Sequence, residues 1–157
     1  LDLRNNPGGY LEVSQDIAGW FLKKGEVVTI EDFGQDKTQK YYKTKGNATF
    51  SEYPMVILIN QGSASASEIL AGTLRDNRNI KLIGEKSFGK GSVQEVLNIR
   101  DGSMLKITIA KWLTPNGSSI SEVGLTPDIE VELTDKDFEN EKDPQLDKAL
   151  EIIKNLK

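Results

Sequence analysis

The chain has neither cysteine nor histidine among its 157 residues. Without cysteine there is no disulfide, no thiol nucleophile and no thiolate metal site. Without histidine the commonest general base and the commonest metal ligand are both missing. Hydrolytic chemistry carried by this chain alone must therefore draw its base from Lys, Asp, Glu or Tyr. Long hydrophobic runs are absent too, none approaching the ~18 residues of a membrane span. Nor is there an excess of positive charge. The net charge is -4, which gives no electrostatic reason to seek a phosphate backbone, so nucleic acid is not an expected partner. The opening Leu1-Asp2-Leu3-Arg4 reads as a strand with no cap or leader before it, and the chain is expected to be a piece of a longer protein.

What is present suits one α/β domain with a mixed sheet and hairpins. The strand at 1–4 runs into a turn, Asn5-Asn6-Pro7-Gly8-Gly9, whose glycines permit positive φ. Apolar spacing predicts a helix over 10–22 and another over 64–75. Val27–Ile30, Met55–Ile59 and Ile80–Ile83 read as strands, the last two as buried ones. Residues 31–53 are polar and lysine-rich, with a hairpin expected around Lys45-Gly46-Asn47. Two further strands, 93–99 and 104–113, are expected to join through Asp101-Gly102. A short strand at 129–133 precedes an acidic linker, 134–143. Asp143 as N-cap and Pro144 at the first helical position then open a last helix with an apolar stripe of Leu146, Ala149, Leu150, Ile153 and Leu156.

Two segments carry candidate chemistry. Gly62-Ser63-Ala64-Ser65-Ala66-Ser67-Glu68 lies between a buried strand and a helix. A helix start has amide donors without intrahelical partners, and with the dipole they can stabilise a developing oxyanion beside an exposed Ser65. The same residues, Ser65-Ala66-Ser67-Glu68, also spell a capping box, and a serine without a base is only a cap. Gly84-Glu85-Lys86-Ser87-Phe88-Gly89-Lys90-Gly91 nearly spells a phosphate-binding loop. Gly91 stands where the Mg²⁺-binding hydroxyl belongs, and a strand pattern follows where a helix belongs. The alternative reading makes Lys90 a buried base, with Phe88 helping to exclude water. A free lysine must drop by ~3 pKa units to accept a proton near neutral pH, and apolar burial can do that. A solvated loop lysine is the plain alternative, and Lys86 is the nearest rival.

Taken together, four segments resemble the C-terminal processing peptidases, the tail-specific serine peptidases of family S41. They are Asp2 to Gly9, Gly62 to Glu68, Gly84 to Gln94, and Lys106 to Asp128 with Thr114-Pro115-Asn116-Gly117 and Gly124-Leu125-Thr126-Pro127-Asp128. The resemblance implies a crotonase/Clp-protease-like βαβ spiral core over 1–133, with 134–157 as acidic linker and C-terminal helix. It implies Ser65 as nucleophile, Lys90 as base and Gln94 as the residue orienting the lysine. Asp76 falls on an aspartate linked to activity, which can equally hold the site together. The oxyanion hole falls to the backbone N–H groups of Gly9 and Ala66, with Gly8 adjacent. No metal or cofactor is implied. The expected substrates are proteins cleaved near unstructured or apolar C-terminal tails, a PDZ domain is expected elsewhere in the parent chain, and homo-oligomerisation is left open. The resemblance also places the protein outside the cytoplasm, in the cell envelope, periplasm or secreted fraction. Two competing readings are a catalytically inactive peptide-binding module on the same fold, holding peptides by strand addition, and a nucleotide site at Gly84–Gly91.

Overall fold

A computed structural model describes residues 1–34 and 38–156. The strand–helix–strand unit at its centre is β3 (Val56–Ile59), α2 (Ala66–Arg78) and β4 (Lys81–Gly84). β3 and β4 pair in parallel, Val56 opposite Lys81 through Ile59 opposite Gly84. The two-residue β7 (Ile129–Glu130) adds to β4, also in parallel. On the other edge Leu3 N–H donates to Leu58 O and Leu58 N–H to Leu1 O, both at 2.9 Å, so residues 1–3 lie beside β3. Val-Ile-Leu-Ile in β3 is buried on both faces, as a parallel strand between layers requires.

Those two faces make two cores. Ile57, Ile59 and Leu82 pack toward α1 (Leu11–Phe21) and α2 with Leu3, Leu70 and Leu74. Val56, Leu58 and Ile83 pack on the opposite face against Ala149 of the last helix, α4 (Pro144–Asn155). The antiparallel pairing is kept in a second sheet of order β2–β1–β6–β5, built from β1 (Val27–Asp32), β2 (Lys40–Lys43), β5 (Ser92–Asn98) and β6 (Met104–Leu113). Thr73 Oγ1 of α2 donates to Val28 O at 2.6 Å and Asn77 Nδ2 to Val27 O at 3.0 Å, which fastens this sheet to the helix layer.

Several sequence expectations shift. The hairpin after β1 does not turn at Lys45-Gly46-Asn47. β1 pairs with β2, Ile30 opposite Tyr41, and the connection runs through 33–39, of which 35–37 lie outside the described residues. α2 continues past Arg75 to Arg78 and stops at Asn79, whose φ of 54° is a left-handed cap. The linker holds a short helix, α3 (Asp135–Glu139), capped by Thr134. α4 begins where Asp143 and Pro144 predict. Its buried face differs, however: Gln145 and Ala149 point inward, while Leu146 and Leu150 are exposed. Asp101 and Gly102, both at positive φ, do turn β5 into β6.

Candidate active site

Ser65 sits at the junction of β3 and α2 with φ 56° and ψ −120°. A non-glycine residue in that region costs about 1–3 kcal/mol and persists only where its surroundings hold it. The holding contacts come from both directions. Ser65 and Glu68 stand in capping-box positions, but only the carboxylate half is a full hydrogen bond, Ser65 N–H donating to Glu68 Oε2 at 2.9 Å. From the other side, Gly8 at φ +85° lies so close that a Cβ there would meet Ala64 O, and Ala66 N at 2.7 Å. A strained serine between strand and helix matches the geometry that presents a nucleophile.

The glycine turn is stitched to the serine segment. Asn5 N–H and Gly62 N–H both donate to Asn60 Oδ1, at 2.8 and 3.0 Å. Ala64 N–H donates to Asn6 O at 3.0 Å, and Ser63 Oγ to Leu3 O at 2.7 Å. Gly8 and Gly9 differ in what their amides already bond. Gly8 N–H donates to Asn6 Oδ1 at 3.0 Å. Among the described residues, the N–H groups of Gly9 and Ala66 have no protein acceptor, and a Cβ at Gly9 would meet nothing within 4 Å.

Glu68 is the residue whose role sequence reasoning missed. It is wholly buried and accepts from four donors. Oε2 takes Ser65 N–H and Lys90 N–H, each at 2.9 Å, while Oε1 takes Ser87 Oγ–H at 2.6 Å and Gly89 N–H at 2.7 Å. The amide nitrogens of Ser65 and Lys90 thus share one oxygen and lie within about 6 Å of each other. The signal was present as a glutamate three residues after a helix-start serine, but that pattern reads as a cap alone. The lysine loop is gripped from its far side as well. Ser87 Oγ accepts Leu125 N–H at 2.7 Å, Phe88 N–H donates to Ser63 O at 3.0 Å, and Glu122 N–H to Gly89 O at 2.9 Å. A strand, β5, follows the loop rather than a helix, so it does not have the context of a phosphate-binding loop.

The side chains are less assembled than the backbones. Lys90 is exposed rather than buried, Phe88 is 67% exposed, and among the described residues no hydrogen bond joins Lys90 Nζ to Ser65 Oγ. Gln94 stands on the exposed edge strand β5, opposite Thr108, with no bond to Lys90 among the described residues. Asp76 lies eleven residues along α2 from Ser65, about 16 Å at the helical rise. Its Oδ2 accepts Asn116 N–H at 2.9 Å and its Oδ1 lies 3.6 Å from Arg75, so it anchors the 114–117 turn and does not reach the serine. Beside Ser65 an apolar cavity of about 410 Å³ opens between α1 and α2, lined by Gly8, Gly9, Val13, Ile17, Ala66 and Leu70 among others.

The strand–turn–helix serine segment is thus bonded on one side to a glycine turn and on the other to the lysine loop. The profile of peptidase family S41 matches residues 1–131, and the chain belongs to that family. It is 46% identical over 132 residues to a carboxy-terminal-processing protease of Bartonella bacilliformis, covering 84% of this chain and 30% of that protein. To a carboxyl-terminal-processing protease of Synechocystis it is 41% identical over 157 residues, 98% of this chain and 36% of the other. Among solved structures it resembles the photosystem II D1 C-terminal processing protease, at 36% identity and TM-score 0.76, over 84% of this chain and 34% of that one. The chain therefore spans about a third of the length of these relatives. Its fold is that of the S41 peptidases, the α/β spiral core of crotonase/Clp-protease type.

Proposed function

We propose that this chain carries the catalytic centre of a serine-type endopeptidase in which Ser65 is the nucleophile and Lys90 the general base. The observation that supports it most is the single Glu68 oxygen shared by the amides of Ser65 and Lys90, which keeps nucleophile and base segments in register. In the proposed reaction the neutral Lys90 amine takes the Ser65 proton as Oγ bonds to the scissile carbonyl carbon. The oxyanion is received by Gly9 N–H and Ala66 N–H. Lys90 returns the proton to the leaving amine as the C–N bond breaks. Water then adds to the acyl carbon, giving its proton to Lys90, and Lys90 passes that proton to Ser65 Oγ as the ester C–O bond breaks, which releases the acid and regenerates both groups. Because Lys90 is exposed here, this chemistry requires its amine to be covered, by bound substrate or by the remainder of a longer chain. Gln94 would orient the lysine from β5 once it is covered, and Asp76 would act at a distance by fixing the 114–117 turn.

The substrates in this reading are proteins cleaved near unstructured or apolar C-terminal tails, and the apolar cavity beside Ser65 suits an uncharged side chain next to the scissile bond. Capture of the tail by a PDZ domain elsewhere in the parent chain, and a location outside the cytoplasm, belong to the same proposal. The test is cleavage of an unfolded protein by the full-length parent, comparing wild type with Ser65→Ala and Lys90→Ala, all shown folded by circular dichroism. Both variants are expected at background. Wild-type cleavage by Lys90→Ala would move the base elsewhere, with Lys86 next in line.

A further inference from the structure

Gln145 breaks the amphipathic rule of its helix. It is wholly buried, although Leu146 and Leu150 beside it are 42% and 46% exposed. Burying an amide is costly unless its bonds are met. Here each end is engaged. Oε1 accepts Arg4 Nη1 at 3.1 Å, while Nε2 donates to Val131 O at 2.8 Å and to Glu85 Oε1 at 3.4 Å. The amide also lies on the end of β4, where a Cβ on Gly84 would come within 3.5 Å of its Cδ.

The partners matter because of where they lead. Arg4 is the last residue before the turn that ends at Gly9, the proposed oxyanion donor. Glu85 opens the loop that ends at Lys90, and its N–H is fixed to Ile59 O at 3.0 Å. Arg4 is itself clamped by the cap of α4. Its Nη1 and Nη2 donate to the two oxygens of Asp143, both at 2.8 Å, and Asp143 Oδ1 accepts Leu146 N–H at 2.9 Å. With Asp2 on its other side, Arg4 is 13% exposed and its donors are taken. The start of α4 thus joins the roots of both catalytic turns. It lies beyond residue 131, where the family profile stops.

Resting on the peptidase reading above, we propose that Gln145, set by Asp143 and Arg4, is a positioning residue of the catalytic site. It holds the glycine turn and the lysine loop at the spacing that Ser65 needs, and the 134–157 segment is part of the working centre rather than a tail. A local rule broken with every bond satisfied is the pattern of a functional constraint. A small shift in reacting groups is costly to rate.

The experiment uses the full-length parent with wild type, Ser65→Ala, Gln145→Leu and Asp143→Asn. Steady-state cleavage of a peptide and the rate of Ser65 labelling by a fluorophosphonate are measured at a temperature where circular dichroism shows every protein fully folded. Gln145→Leu should lose roughly tenfold in kcat and in labelling rate with KM little changed, because the turns and not the substrate contacts are loosened. Asp143→Asn keeps an acceptor for the helix cap but weakens the Arg4 clamp, and should shift the same way by less. If Gln145→Leu does not fold, Asp143→Asn carries the test. Folded variants with wild-type kcat and labelling would overturn the proposal while leaving Ser65 in place. A change in KM alone would overturn it too. Cleavage by Ser65→Ala at the wild-type rate would instead remove the peptidase reading, and this proposal with it.

Discussion

Replacing Glu68 by Gln keeps the shape of the side chain and removes one acceptor oxygen. The amide must then turn an NH₂ group toward one of two donor pairs, either the N–H groups of Ser65 and Lys90 or the Ser87 hydroxyl and Gly89 N–H. Turned toward the two amides, the NH₂ group forfeits both of their bonds; turned the other way, it forfeits the Gly89 bond and the Ser87 hydroxyl must rotate from donor to acceptor. At about 1.5–3 kcal/mol for each bond lost, the cost is about 2–6 kcal/mol. That is a large part of the roughly 5–15 kcal/mol that holds a domain of this size together. The unfolding midpoint should fall by roughly 10–20 °C, read by circular dichroism on the present chain. In the full-length parent, Ser65 labelling by a fluorophosphonate should slow at temperatures where the variant is still folded. Glu139→Gln, on an exposed residue of α3, should change neither. A Glu68→Gln midpoint within about 2 °C of wild type, with unchanged labelling, would refute the argument that this carboxylate holds the two segments together.

Gly8→Ala and Gly9→Ala should part company. A methyl at Gly8 runs into the Ala64 carbonyl and the Ala66 amide at positive φ, whereas one at Gly9 meets nothing. The first should lose both melting temperature and Ser65 labelling, and the second should keep its melting temperature. Equal thermal stability of the two variants would contradict the packing. Acid sensitivity gives another test. Hydrogen bonds from Arg4 hold the Asp143 carboxyl below its ordinary range. At Asp2, burial pushes upward but the bonds from Arg4 outweigh it, so that carboxyl is lowered as well. A depressed carboxylate contributes stability that is full above its unfolded value, near 3.9, and is lost as pH falls through its lower folded value. Urea midpoints measured downward from pH 7 should therefore drop below about pH 4 in wild type. Arg4→Met should start lower and drop less steeply in that window, and parallel curves would count against the clamp.

Local chemistry was readable in the sequence because it depends on neighbours in the chain. The helix start at Asp143-Pro144, the turn at Asp101-Gly102 and the buried strand Val56–Ile59 follow from capping, turn and burial preferences that need no partner. The four motifs that carry the resemblance to S41 peptidases also lie in short runs, so family membership could be read from them. Pairing over distance could not. That β2 returns to β1 through 33–39, and that parallel and antiparallel pairs separate into two sheets, depends on which strands meet. The same holds for the site. That the Gly8 amide is spent on Asn6 Oδ1 depends on how the turn folds and not on residue type. Glu68 looked like half a cap until the lysine loop, some twenty residues away, folded onto its carboxylate. Gln145 and Arg4 are 141 positions apart. Residue type and spacing determined which chemistry this chain has the parts for. Tertiary packing decided which buried polar groups meet, because a carboxylate or an amide is tolerated inside only where distant backbone and side-chain donors arrive to satisfy it.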